Sequence, residues 1–226
     1  MKRVLDHLSK AEPVHDGFLS HGPATQEKTL IAPNRVAVWW LQLGRVNADE
    51  DGHLEQLLSA EESERAARFR FARDRRVYVA AHAICRGLLS YSCGGDPLDW
   101  RFSVGDHGKP EVVTASGAPR LRVNLSHTHG FAAVALTQDH DIGIDVERLQ
   151  RNAPTQKLAE RVLAKQEREQ LQAAPVTEQV AVFLRFWTLK EAYVKAVGRG
   201  LSQPLDAFSF DLETLRIVFA EGAAEG

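Results

Sequence analysis

Cysteine is scarce in this chain. Only Cys85 and Cys93 are present, at a spacing that fits neither a zinc site nor a disulfide framework. Two unpaired thiols suit a reducing compartment. Long apolar runs are also missing: no stretch approaches the ~20 residues needed to cross a bilayer. The opening "MKRVLDHLSKAEPVHDG" carries positive charge with no apolar segment behind it, so no secretory signal is expected. An excess of basic residues is missing too. Lys and Arg number 28 against 30 Asp and Glu, a net charge of −2, which argues against a nucleic-acid partner. There is no tandem repeat at solenoid spacing and no low-complexity tract. These absences predict a cytoplasmic protein with no membrane or nucleic-acid partner. What is present is ample core material, 44% hydrophobic residues in a 226-residue chain. At ~150 residues per domain, that length makes one large domain or two small ones.

Residues 1–34 mix Pro, Gly, His and charges without period and read as an irregular lead-in. "RVAVWWLQL" at 35–43 is rich in β-formers and predicts a strand. Residues 59–95 predict a helical region with Ser59 as N-cap, Glu61 and Glu62 in its first turn, and Gly94 and Gly95 at its end. "DWRFSVGDHGKPEV" reads as a strand followed by a Gly-Pro turn, and "RVNLSHTHGFAAVALTQ" as two strands about Gly130. "DIGIDVERL" at 141–149 predicts another strand. Residues 153–171 predict one amphipathic helix capped by Thr155, and residues 178–200 a second, stopped by Gly198 and Gly200. "FSFDLETLRIVFA" closes with two short strands. The order strand, helix, strands is loosely echoed as strand, helices, strands. This predicts an α+β protein of two similar halves, 35–139 and 140–226, with an abrupt end to the second.

The 141–149 stretch poses a chemical question. In a strand of period two, Ile142, Ile144 and Val146 face one way, and Asp141, Gly143, Asp145 and Glu147 the other. The first face suits packing on a helix. Two carboxylates on the second face repel each other unless a cation or a basic group sits between them, and Gly143 leaves room for something to approach the backbone. In the 178–200 helix, Phe183, Phe186, Trp187, Val194 and Val197 form an apolar stripe. Glu191 and Lys195 share a face at its border, as many ordinary surface pairs do. Lys190 falls inside the stripe, so it either snorkels outward or meets a buried acid, which an acidic strand face nearby would supply.

"GIDVE" at 143–147 with "FWTLKEAYVKAVGRGLSQPL" at 186–205 resembles the 4′-phosphopantetheinyl transferase superfamily, in its larger, surfactin-synthetase-activating branch. "LSAEESERAARF" at 58–69, "DHGKPEV" at 106–112, "VNLSHTHG" at 123–130 and "PLDAFSFDL" extend the likeness over roughly 35–212. The resemblance implies two pseudo-twofold halves, each a small antiparallel sheet on helices. It also implies transfer of the 4′-phosphopantetheine arm of coenzyme A to a serine of an apo acyl or peptidyl carrier protein, releasing adenosine 3′,5′-bisphosphate. Splitting a pyrophosphate builds negative charge on oxygen, for which Mg²⁺ on carboxylates is a natural stabiliser. The resemblance assigns that ion to Asp145, Glu147 and Glu191. It gives Lys195 to the pyrophosphate, the role of base to a metal-bound water or to Glu167, and Arg65, with Arg75 or Arg76, to phosphate. Gly108, Lys109 and Pro110 would lie against adenine, and Ser126 and His127 at the 3′-phosphate. Relatives carry a lysine where this chain has Glu62. A monomer is expected, and the carrier would belong to fatty-acid, polyketide or non-ribosomal peptide synthesis. Lys157, Arg161, Lys165 and Arg168 offer a basic stripe, either solvated or a dock for an acidic carrier helix. The same residues leave open a non-catalytic coenzyme A or carrier-binding homologue, or another metal-dependent pyrophosphate-cleaving enzyme.

Overall fold

The computed structural model describes residues 31–105, 108–149, 156–198 and 204–219. Most of the 1–34 lead-in, the Thr155 cap and the extreme C-terminus lie outside them. Strand β1 (Val36–Gln42) forms where the β-branched and aromatic run predicts it. It pairs antiparallel with β5 (Phe131–Gln138), which pairs antiparallel with β4 (Leu121–Thr128), giving the order β1-β5-β4. Gly130, with φ 74, makes the tight β4–β5 turn.

The 59–95 helical region divides. Helix α2 (Ala60–Ala67) starts at Ser59, whose side chain accepts from Glu62 N while Glu62 accepts from Ser59 N. The long helix α3 (Ala72–Cys93) follows after a short corner and ends at Gly94, φ 82. A helix ahead of both, α1 (Ala48–Glu55), has no apolar periodicity. It is started instead by a reciprocal Asn47–Glu50 capping box. Helix α3 packs on the three-stranded sheet, and Val79, Ala80, Ala83, Ile84, Leu88 and Leu89 join Val123, Val134 and Leu136 in one apolar core. Burial in that core pushes the Cys85 thiol up to about 12, which makes it inert. A small hairpin, β2 (Phe102–Val104) with β3 (Pro110–Val112), lies beyond α3.

The second half has its own core, centred on Leu163, Phe183, Leu184 and Phe186. The expected single helix over 153–171 is in fact two, α4 (Gln156–Val162) and α5 (Lys165–Ala173), broken at Ala164, whose ψ of 164 is extended. The break has a cause. Glu167 turns back to accept from Ala164 N, and Arg168 donates to the Leu163 carbonyl. The basic stripe read at helical spacing is therefore shared between two helices. Helix α6 (Gln179–Val197) ends at Gly198 in the left-handed region. The chain closes with β6 (Phe208–Phe210) paired to β7 (Ile217–Phe219).

The predicted strand at 141–149 pairs with no other strand among the described residues. It is held beside β4 by side chains in place of a backbone ladder. Ile144 N donates to Asn124 Oδ1 at 2.9 Å, Val146 N donates to Ser126 Oγ at 3.2 Å, and Arg122 pairs with Asp141. Arg122, Asn124 and Ser126 are alternate residues of one strand, so period two aims all three the same way. The space left by the missing side chain of Gly143 is taken by the backbone of a helix. A Cβ at Gly143 would lie 1.8 Å from the Ala192 carbonyl oxygen and 2.7 Å from Ala196 N, both backbone atoms of α6.

Candidate active site

The close approach at Gly143 sets Asp145 against α6. Lys195 Nζ donates to Asp145 Oδ1 at 2.6 Å, to the Ile144 carbonyl at 3.2 Å and to Ser126 Oγ at 3.2 Å. Ser126 Oγ in turn donates to Asp145 Oδ1 at 2.9 Å. The other carboxylate oxygen, Asp145 Oδ2, is buried without a hydrogen-bond partner. A buried carboxylate oxygen without a donor is costly, and a cation is one way to satisfy it. Glu191, one turn before Lys195, is half-buried. Its carboxyl is raised above the ordinary range, first by burial and then by the negative charges of Asp145 and, more weakly, Glu147, against the opposing pull of Lys195. Glu191 thus feels the charge of both other carboxylates. Among the described residues, no three His, Cys, Asp or Glu side chains already form a closed metal cluster. The positive charge beside Asp145 here is the Lys195 ammonium. The donor set still fits a hard divalent cation: carboxylate oxygens, one of them unsatisfied, at a site where like charges crowd.

The buried acid for Lys190 is Glu167. The acidic segment at 141–147 does not supply it. Lys190 Nζ lies 2.8 Å from Glu167 Oε2, both side chains fully buried, and also donates to the carbonyls of Leu205 and Phe208. Glu167 Oε2 accepts from Ala164 N and Oε1 from Phe210 N. Burial lowers the Lys190 ammonium from its usual range, and Glu167 opposes that shift. A carboxylate with both oxygens engaged in the core is a structural tie. The expected role as base would need an oxygen that faces solvent, and both oxygens of Glu167 face the core instead.

The expected phosphate ligands fare unequally. Arg75 pairs with Glu55 at 2.6 Å. Arg76 grips both oxygens of Asp51 and the Val46 carbonyl, so both arginines fasten α3 to α1. Arg65 is exposed, with its guanidinium 5.8 Å from the Tyr78 ring centroid. It lines an open cavity of about 850 Å³ with Arg68, Phe69, Arg70 and Phe71. Glu62 caps α2 and accepts from Arg86 Nε at 2.7 Å, where Arg86 is 3% exposed. Glu62→Lys should therefore cost about 2 kcal/mol by stranding a buried guanidinium. Urea unfolding checks this, and a variant as stable as the parent would refute it.

Gly108, with φ 81, and Lys109 form the β2–β3 turn, and Pro110 starts β3. Lys109 Nζ donates to the Ala196 carbonyl at 2.8 Å, so the turn caps the C-terminal end of α6, where a cation is favoured. Its ammonium is lowered by burial and then by nearby Arg122. On β4, Ser126 faces inward to Asp145. His127 faces outward, its imidazole lowered by partial burial and then by Lys195. Sequence reading missed Asn124 and Arg122. The alternation Arg-x-Asn-x-Ser on an otherwise apolar hairpin was the available signal.

Residues 141–221 match a family model described as 4′-phosphopantetheinyl transferase superfamily, and residues 48–139 one described as 4′-phosphopantetheinyl transferase, N-terminal. The chain is also 33% identical over 181 residues to the 4′-phosphopantetheinyl transferase HetI of Nostoc sp., covering 80% of this chain and 76% of that protein. The chain belongs to the 4′-phosphopantetheinyl transferase superfamily. The transferase is 30% identical over 167 residues to Sfp of Bacillus subtilis, covering 74% of this chain and 72% of Sfp, which puts it in the larger branch. A solved holo-(acyl-carrier-protein) synthase from Bacillus anthracis, in complex with CoA (3′,5′-ADP), aligns with a TM-score of 0.37 at 19% identity. That alignment covers 46% of this chain and 93% of the synthase. The transferase has no helix among the described residues long and apolar enough to cross a membrane.

Proposed function

We propose that this transferase moves the 4′-phosphopantetheine arm of coenzyme A to a serine of an apo acyl or peptidyl carrier protein, as a cytoplasmic monomer dependent on Mg²⁺. The observation that carries the cation assignment is the buried, unpartnered Asp145 Oδ2 beside Lys195, with Glu191 raised by Asp145 and Glu147. Asp145, Glu147 and Glu191 would hold Mg²⁺. When bound, the ion supplies positive charge to a pyrophosphate whose oxygens gain negative charge as it splits. Asp145 is fixed by Ser126 and by the backbone bonds of its neighbours, so its geometry is set before any ligand arrives. Lys195, 29% exposed at its side chain, would exchange its contact with Asp145 for a phosphate oxygen of coenzyme A. As the carrier serine oxygen bonds to the phosphorus of the phosphopantetheine arm, the bridging P–O bond breaks, adenosine 3′,5′-bisphosphate leaves with that oxygen, and the serine proton passes to solvent water. Glu167 does not take that proton, because it is sealed in the core. Arg65 and His127 are the remaining candidates for the nucleotide phosphates, both exposed and cationic or protonatable.

The direct test incubates the protein with coenzyme A, Mg²⁺ and a panel of apo carriers from fatty-acid, polyketide and non-ribosomal peptide synthesis, read by mass spectrometry. A transferase adds the arm to at least one carrier. A binder leaves every carrier mass unchanged, and a hydrolase consumes coenzyme A with no carrier present. Asp145→Asn should reduce turnover about 1,000-fold while the protein stays folded, and should bring the Glu191 carboxyl down from its raised value by removing a like charge. Full turnover in that variant would reject the cation assignment.

A further inference from the structure

The apolar cores of the two halves share no residue among the described ones. Beside the candidate site the halves are joined largely by polar contacts, and Arg122 on β4 stands at their centre. It is 6% exposed. Its Nη1 donates to Glu111 on β3, and its Nη2 to Asp141, where the 141–147 segment begins. Each of these partners leads to the same turn of α6. Two residues back from Glu111, Lys109 Nζ donates to the Ala196 carbonyl. Two residues on from Asp141, Gly143 lies against the Ala192 carbonyl oxygen and Ala196 N. The circuit through Arg122, Glu111, Lys109, α6, Gly143 and Asp141 is therefore closed. The stretch of α6 that it grips carries Lys195 and follows directly on Glu191. Arg122 Nε is buried without a hydrogen-bond partner. Burying a guanidinium with one N–H unpaired is a poor source of stability, so what Arg122 contributes is position.

We infer that Arg122 is a positioning residue. Through Glu111 and Asp141 it clamps the last turn of α6 between the β2–β3 turn and the 141–147 segment, and so sets Glu191 and Lys195 against Asp145. The inference rests on the cation reading above and adds the tie that brings the helix and the segment of that site together. A guanidinium is a planar fork, and two of its nitrogens on carboxylates of two different elements fix both the distance and the angle between those elements. An ion pair that only stabilised would behave otherwise. Its loss would make the whole fold easier to unfold and leave the site of each folded molecule intact. Lys109 stays unsubstituted in the test, because the resemblance also places it against coenzyme A.

The experiment pairs two measurements on the full chain. One is amide hydrogen exchange without ligand. The other is Mn²⁺ binding at saturating coenzyme A with no carrier, free Mn²⁺ being read by electron paramagnetic resonance. Arg122→Met keeps an unbranched side chain and removes the fork. It should speed exchange in the last turn of α6, residues 192–197, about tenfold, and weaken Mn²⁺ binding per folded molecule by a similar factor. Exchange in the buried face of α3 should stay parental. Glu111→Gln and Asp141→Asn should each move both readouts the same way by less, and add little to Arg122→Met, since the three side chains act as one unit. Their side chains are 37% and 52% exposed, so these two variants decide alone if Arg122→Met unfolds. Unchanged exchange in α6 overturns the inference. So does equal acceleration in α3 and α6, which would mark an ion pair that only stabilises. Asp145→Asn is the control for the cation reading. If it binds Mn²⁺ like the parent, that reading is wrong and the inference falls with it. If it loses Mn²⁺ while Arg122→Met does not, only the positioning role fails.

Discussion

Gly143→Ala is expected to lose about 100-fold in transfer rate to an apo carrier, and about 1–3 kcal/mol of stability. The cause is space. The new methyl would sit 1.8 Å from the Ala192 carbonyl oxygen and 2.7 Å from Ala196 N, and helix backbone cannot swing aside as a side-chain tip can. Gly143 is not among the positive-φ glycines, so backbone preference plays no part. To admit the methyl, the 141–147 segment and α6 must separate, and that separation is the one that sets Asp145 against Lys195 at 2.6 Å. A misplacement near 1 Å is enough to cost two orders of magnitude in rate. Gly52→Ala serves as the control. It lies in the helix α1 with nothing near its missing Cβ, and it should be neutral or slightly stabilising. Transfer kinetics and urea unfolding measure both variants. A Gly143→Ala enzyme of parental rate would show that the contact is not tight in solution.

Glu167→Ala should destabilise the protein by about 3–5 kcal/mol, the largest stability loss expected of a single substitution here. Lys190 would be left fully buried without its carboxylate partner, facing the Leu205 and Phe208 carbonyls and the Phe208 ring. Two backbone N–H groups, of Ala164 and Phe210, would lose their acceptor as well. These groups belong to the α4–α5 break and to β6, so the second half should loosen as a unit. Adding Lys190→Met to Glu167→Ala removes the stranded charge and should return a large share of the loss, a coupling that a double-mutant cycle reads directly. Glu167→Gln is the discriminating variant. If it keeps parental stability while transfer disappears, the carboxylate acts in catalysis, and its assignment to the core is wrong.

The helices and hairpins that build the first half were legible because each carries its own local signal. Ser59 and Glu62 cap α2, Gly94 stops α3, and Gly130 turns β4 into β5. Helix α1 was missed because its start is written in Asn47 and Glu50 and its body has no apolar face. The break between α4 and α5 was missed for a related reason. The apolar spacing runs straight through Ala164, and only the pull of Lys190 on Glu167 makes that carboxylate turn back to cap a new helix. The candidate site shows the same division. The residue types in "GIDVE" and "KEAYVK" were readable, together with the need for a positive charge between carboxylates. Which charge that is was not readable.

The sequence by itself determined the α+β layout and the residues eligible for chemistry through short-range order, in periodicity, caps and turns, and the family through the resemblance its motifs carry. Only the tertiary structure decided what each eligible residue does. It put Glu167 under Lys190, Arg75 and Arg76 on α1, Lys109 on the end of α6, and Ser126 under Asp145. The reason is that a charged side chain takes the partner that burial brings within about 3 Å. Those partners stand far away along the chain, where no local pattern records them.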